Sequence, residues 1–130
     1  MIYLASPYSD PDPKIMESRA LAAMRATVWL LAHELWAFSP IAHCHEMAKK
    51  FDLPKDYSFW QHYNKAMLRR STSLYLLNIS GLEASTGVQQ ELNFSQVLHL
   101  PVYKLNPTPD SCEITPYLTP HKRSESAHLR

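Results

Sequence analysis

The sequence predicts a three-layer α/β fold: a parallel sheet of four or five strands with helices on both faces. Three observations predict it. Short β-rich runs alternate with longer stretches of helical periodicity along most of the chain. One of those runs, "LYLLNI" at residues 74–79, is nearly all apolar, as expected of a central parallel strand covered on both sides. At 130 residues with 45% hydrophobic, the chain can bury one core, and two domains would be hard to accommodate.

The elements follow in order. "IYLA" (residues 2–5) is a first strand that stops at the proline-punctuated loop "SPYSDPDP". Asp12 and Pro13 form a cap and first-turn pair. From there to about Trp36, Ile15, Ala22, Val28, Leu31 and Leu35 recur at helical steps, which predicts one long helix. "AFSP" (37–40) is a second short strand ended by Pro40, and "IAHCHEMAKKF" starts a loop or short helix. Asp56 caps a further helix over "YSFWQHYNKAMLRR". After the strand at 74–79 comes a helix containing "EASTGVQQELNF" (83–94), and "PVYKL" (101–105) is the last strand. The alternation requires right-handed crossovers and a Rossmann-like parallel sheet. Residues 1–105 form the domain. Residues 106–130, with Pro107, Pro109, Pro116 and Pro120 and few apolar side chains, read as an extended tail with its last ten residues disordered.

Composition excludes several partners. The net charge is +1, with Lys and Arg scattered, so there is no electrostatic footprint for a nucleic acid polymer and no polybasic membrane anchor. "ALAAMRATVWLLAHELW" is interrupted by Arg25 and His33 and has a helical period, which makes it a core-packed helix and not a membrane span. The start "MIYLAS" lacks a basic leader region, and Cys44 and Cys112 match no metal or redox spacing, so a cytoplasmic location is the default. A small-molecule or protein partner is expected.

In a parallel sheet, ligands bind beyond the carboxyl ends of the strands, near the point where strand order reverses. That rule selects "SPYSD", "SPIAHCH" and "SGLEASTG". In the helix after the third segment, Ser85 or Thr86 caps the N-terminus, and Gly87 lets a ligand approach the backbone. At roughly 100° per residue, Val88, Leu92, Phe94, Ser95 and Leu98 share one face, with Glu91 in the middle of it. A solvated glutamate belongs instead among Gln89, Gln90, Asn93 and Gln96. Glu91 therefore either makes a structural hydrogen bond or looks into a pocket, because an unpaired buried carboxylate is costly.

"IYLASPYS", "FSPIAH" and "S-x-G-V-x-x-E" followed by "HLPVY" resemble the nucleoside 2-deoxyribosyltransferase superfamily, which includes nucleotide N-hydrolases and N-glycosidases. The resemblance covers about residues 1–105, and its nearest branch carries "FSPIAHSH" and "FW" followed by "YD". It implies that Glu91 is a nucleophile attacking the anomeric carbon, with a glycosyl ester resolved by water or a second base. It further implies that Ser85 contacts a 5′-phosphate, and that Tyr3, Ser6, Pro7 and Tyr8 contact sugar and base. No cofactor is implied, and a homo-oligomer is.

One departure stands out: Asn64 occupies the place of an aspartate that orients or protonates the nucleoside in relatives, and an amide delivers no proton. His43, His45 or Asp56 then supplies the acid, or none is needed, or the protein binds without turnover. His43 and His45 form an H-x-H pair with no third ligand at a suggestive spacing, so no metal site is expected and a polar pocket wall is favoured. Trp29 and Trp36 read as packing or an oligomer contact, while Trp60, near Tyr63 and Asn64, either stacks on a base or fills core. Arg19 and Arg25 read as a solvated face, and Arg69 and Arg70 as complements to a helix dipole. Two function classes result: an enzyme acting on the N-glycosidic bond of a nucleoside or nucleotide, or a non-catalytic module that senses a nucleotide derivative.

Overall fold

A computed structural model of the chain describes residues 1–118. Its elements are β1 (Ile2–Ala5), α1 (Pro13–Ala32), β2 (Ala37–Phe38), α2 (Pro40–Lys50), α3 (Tyr57–Arg69), β3 (Ser73–Leu77), α4 (Thr86–Val97), β4 (Val102–Pro107) and β5 (Cys112–Leu118). They form one five-stranded sheet in the order β2-β1-β3-β4-β5, parallel except for β5. The three-layer α/β architecture follows from where the apolar side chains go. On one face Ile2, Leu4, Tyr75, Leu77 and Leu105 pack with Ala23, Ala26 and Leu30 of α1. On the other, Tyr3, Ala5, Leu74, Leu76 and Val102 pack with Leu68 of α3 and with Val88 and Leu92 of α4. The alternation along each strand sends successive side chains to opposite layers, so every position of β1 is buried. The chain crosses from β1 to β2 in one direction and from β3 to β4 in the other. Right-handed crossovers in opposite directions lie on opposite faces, which is why α1 and α4 do.

Several local expectations change. The core face of α1 is Ala20, Ala23, Ala26 and Leu30, whereas Val28 is 61% exposed and Ile15 and Leu31 also face outward. Alanines let the helix lie close to the sheet, and the larger residues are left outside. The helix stops at Ala32, four residues before Trp36, where His33 caps it and Glu34 turns left-handed at φ 59°. Residues 40–50 form a complete helix, because Ser39 Oγ accepts the Ala42 N–H at 3.0 Å and Pro40 takes the first turn.

The segment after residue 106 departs from an extended tail. Residues 112–118 return antiparallel to β4 through a turn closed by the Thr108 N–H on the Ser111 carbonyl and the Ser111 N–H on Thr108 Oγ1, each 2.9 Å. Pro116 is tolerated because β5 is an edge strand, and most of its residues are exposed, so no apolar alternation announces it. The expected disorder of the last ten residues lies outside the described residues. Among the described residues no helix is long and apolar enough to cross a membrane.

Candidate functional site

Glu91 sits on the buried face of α4 with Val88, Leu92 and Ser95. Beneath it Tyr3, on the interior strand β1, is wholly buried and donates its hydroxyl to Glu91 Oε2. No cation pairs with this carboxylate among the described residues. Burial pushes the Glu91 carboxyl up to about 8, and the Tyr3 hydrogen bond offsets only part of that. The Tyr3 phenol is itself raised well above its ordinary value by burial and by the neighbouring Glu91 charge. At neutral pH, Glu91 is therefore largely a neutral acid.

Glu91 forms part of the wall of a cavity of about 620 Å³. The cavity opens between the loops that follow β1 and β3, the adjacent strands from which the chain departs in opposite directions. This is the switch-point crevice of an open parallel sheet. The first loop contributes Ser6 and Tyr8, α2 contributes Pro40, Ile41 and Cys44, the segment entering α3 contributes Lys55 and Asp56, and α3 contributes Tyr57, Trp60 and Asn64. Ser85, Thr86 and Gly87 bring the N-terminus of α4 to the rim. Ser85 is the cap: its Oγ accepts the Val88 N–H at 3.2 Å and its own proton stays available. Gly87 has a second use. A side chain there would meet the Tyr57 ring at 3.3 Å, so the glycine lets that ring pack against α4.

Three buried polar atoms in this wall lack a partner: Ser6 Oγ, Tyr57 Oη and Asn64 Oδ1. Buried polar groups are nearly always satisfied, so three orphans around one cavity mark surfaces that a polar ligand would complete. Burial and the Glu91 charge push the Tyr57 phenol up to about 12, which keeps it a hydrogen-bond donor.

The remaining candidates separate. Pro7 is buried behind the first loop, Tyr3 supports Glu91 from below, and Trp60 lines the cavity with its indole N–H fixed on the Pro54 carbonyl at 2.7 Å. His43 is exposed and sits against Phe38 and Tyr63, away from the cavity wall. His45, on the other side of α2, is buried: Nδ1 lies 2.7 Å from the Tyr8 hydroxyl and Nε2 lies 2.8 Å from Glu17 Oε2. Asp56 accepts from the Ser58 hydroxyl, which holds its carboxyl below the ordinary value. Glu17, His45 and Glu46 bring ligand atoms within 4.8 Å of one another. Lys49 Nζ, at 3.2 Å from Glu17 and 3.7 Å from Glu46, already supplies positive charge there.

Arg19 does more than face solvent. Its guanidinium donates to the Ser9 carbonyl at 2.9 Å and the Tyr8 carbonyl at 3.4 Å, and it lies 3.9 Å from Asp10. It also fills the space where a side chain at Gly81 would stand, 2.4 Å from such an atom, and Gly81 holds φ at +96°. Arg19 thus holds the loop after β1 by hydrogen bonds and packs against the loop after β3. Sequence reasoning missed Tyr57, Glu17 and this role of Arg19, and no local pattern marks them.

Fold and pocket together define the class: an α/β protein with a crevice, walled in part by a buried carboxyl group, at the switch point of its sheet. Residues 1–106 match the family described as Domain of unknown function (DUF1937), and the chain belongs to that family. No curated protein matches the sequence. The edge strand β5 lies beyond the matched residues.

Proposed function

We propose that the protein cleaves, or exchanges the base of, the N-glycosidic bond of a nucleoside or nucleoside 5′-monophosphate, with Glu91 as nucleophile. The observation that carries this reading is a buried carboxylate that no cation pairs with among the described residues, held by Tyr3 in a cavity wall where three polar atoms await partners. The motif resemblance to the nucleoside 2-deoxyribosyltransferase superfamily supports it independently. One Glu91 oxygen attacks the anomeric carbon as the bond to the ring nitrogen breaks, and the bonding pair leaves with the base. Water, or a second base, then attacks the same carbon and frees the carboxylate. A low-dielectric site without a competing cation suits an oxocarbenium-like transition state, whose positive charge is the partner the carboxylate lacks. Ser85, the amides at the start of α4 and Lys55 suit an anionic 5′ group. The resemblance also carries the expectation of a homo-oligomer, and two free cysteines fit a reducing cytoplasm.

The test is to incubate the protein with nucleosides and 5′-monophosphates, each alone and with a second base. Free base and exchanged nucleoside are then measured by chromatography. Release is expected and Glu91→Gln abolishes it; release that survives the substitution removes Glu91 from the role. Because the Glu91 carboxyl lies near 8 and must be ionised to attack, the ascending limb of kcat/KM against pH is expected near 8. A second reading, a non-catalytic sensor of a nucleotide derivative, is favoured by Asn64, whose buried carbonyl oxygen is unpartnered and whose amide donates no proton to a leaving base. Binding without release in the same incubations supports the sensor.

A further inference from the structure

Breaking an N-glycosidic bond leaves an electron pair on the ring nitrogen, and an ordinary base departs slowly unless a proton meets it. The groups around the cavity differ in whether they can supply one. The Asn64 amide cannot. Asp56 is held as a carboxylate by Ser58 and the backbone. His43 stands outside the cavity. The Tyr57 hydroxyl is buried and has no hydrogen-bonded neighbour to replace a lost proton. Tyr8 differs from all of these. It lines the cavity, and its hydroxyl oxygen is 2.7 Å from His45 Nδ1, whose other nitrogen is 2.8 Å from Glu17. Glu17 is about half exposed and is bound in turn by Lys49 at 3.2 Å. A continuous hydrogen-bonded line therefore runs from the cavity wall through a buried imidazole to solvent, joining the loop after β1, α2 and α1.

We propose, resting on the glycosidic reading above, that Tyr8 donates the proton to the departing ring nitrogen and that His45 and Glu17 resupply it. With His45 doubly protonated, Nδ1–H donates to the Tyr8 oxygen and Nε2–H donates to Glu17. As the bond from the anomeric carbon to nitrogen breaks, the Tyr8 proton passes to the nitrogen pair, and the Nδ1 proton passes to the Tyr8 oxygen. His45 is left neutral, with its remaining Nε2 proton hydrogen-bonded to Glu17. When water attacks the glycosyl ester, its hydroxyl bonds to the anomeric carbon and its second proton returns along the same line, so the cycle closes on base, sugar and the starting protein. Tyr8 is suited to donate only in concert with His45. Burial and the charges of Glu17 and Glu46 raise its phenol above the ordinary value, so it keeps its proton until the imidazole hands over another. Hydrogen bonds from His45 and Lys49 hold Glu17 below the ordinary carboxyl range, as an anion that steadies the imidazolium. Tyr8 is the catalytic residue in this account, and His45 and Glu17 are positioning residues.

The test compares two leaving groups in the full chain. One set is the four 2′-deoxynucleoside 5′-monophosphates, whose bases need protonation. The other is 4-nitrophenyl 2-deoxyriboside 5-phosphate, whose phenolate leaves without it. Tyr8→Phe is expected to slow release of the best natural base on the order of 10²-fold. The nitrophenyl compound should lose at least tenfold less. His45→Gln, which leaves the phenol in place, should shift the same ratio in the same direction by a smaller factor. Equal losses on both leaving groups, or an unchanged ratio in Tyr8→Phe, overturn the donor role while Glu91→Gln remains inactive and the glycosidic reading stands. Failure of the unaltered protein to release base or nitrophenolate overturns that reading itself, and the relay with it.

Discussion

Glu91 is the residue at which stability and chemistry oppose one another. Its folded carboxyl lies near 8 against an ordinary 4.5, so the fold favours the neutral acid. That contribution is fully present below about 4.5 and is lost as pH rises through about 8. Each pH unit between those values is worth about 1.4 kcal/mol. Glu91→Gln keeps an oxygen to accept the Tyr3 hydroxyl and never ionises. Its unfolding free energy is therefore expected to gain on the parent from pH 4.5 to 8, by on the order of a few kcal/mol, with the thermal midpoint moving the same way, and to run parallel above 8. Paired melting curves across that range check it, and a constant difference would mean that Glu91 is charged throughout. Glu91 was legible in the sequence because a carboxylate on an apolar helix face breaks the pattern. Ser6, Tyr8, Ser85 and Gly87 were legible because strand ends in a parallel sheet say where ligands go. His43 and His45 could not be told apart while their segment read as loop or short helix. On the observed helix, two positions turn about 200°, so one faces the solvent and the other is buried between Tyr8 and Glu17. Tyr57, Glu17 and Arg19 were invisible because each acts through a neighbour distant in sequence.

Among the elements, the helix ends carry a feature set by composition. The chain has two glycines, and neither ends a helix. Glu34, Asp52 and His99 take the left-handed turn instead, at φ 59°, 51° and 58°, after α1, α2 and α4. The hydrogen bonds that close such ends are in place: Leu35 N–H to Leu30, Leu53 N–H to Ala48 and Leu100 N–H to Ser95, at 2.9, 3.0 and 3.0 Å. A side chain in this conformation costs energy that glycine avoids. Glu34→Gly, Asp52→Gly and His99→Gly are each expected to stabilise the protein by roughly 0.5–1 kcal/mol, read from chemical denaturation midpoints. Helix positions were legible from periodicity, but the inward face of α1 was not. Ranking by hydrophobicity points to Ile15, Val28 and Leu31, whereas close packing on a sheet selects Ala20, Ala23 and Ala26.

At the scale of the whole molecule, the sheet divides into a parallel body, matching the family's residues, and an appended edge. β5 contacts the body chiefly through β4, with Trp29 Nε1 donating to Ser111 Oγ at 3.0 Å as a further tie. Every cavity-lining residue lies between Ser6 and Glu91. A chain ending at Pro107 is therefore expected to keep its far-ultraviolet spectrum and its ligand site. Its thermal midpoint should fall on the order of 5 °C, and its tendency to associate should rise, because β4 becomes an uncovered edge. Light scattering and circular dichroism check both parts; loss of the fold would make β5 integral to it. The parallel body was legible because each of its strands is an apolar run, whereas β5 was hidden by being exposed. Arg19, finally, has a thermodynamic meaning for any ligand. One guanidinium is hydrogen-bonded to the loop that presents Ser6 and Tyr8 and packs against the loop that leads to Ser85 and Gly87. A ligand that orders one loop through this contact lowers the ordering cost of the other. For the nucleotide proposed above, the expectation is positive cooperativity between its two halves, each raising affinity for the other by the same factor.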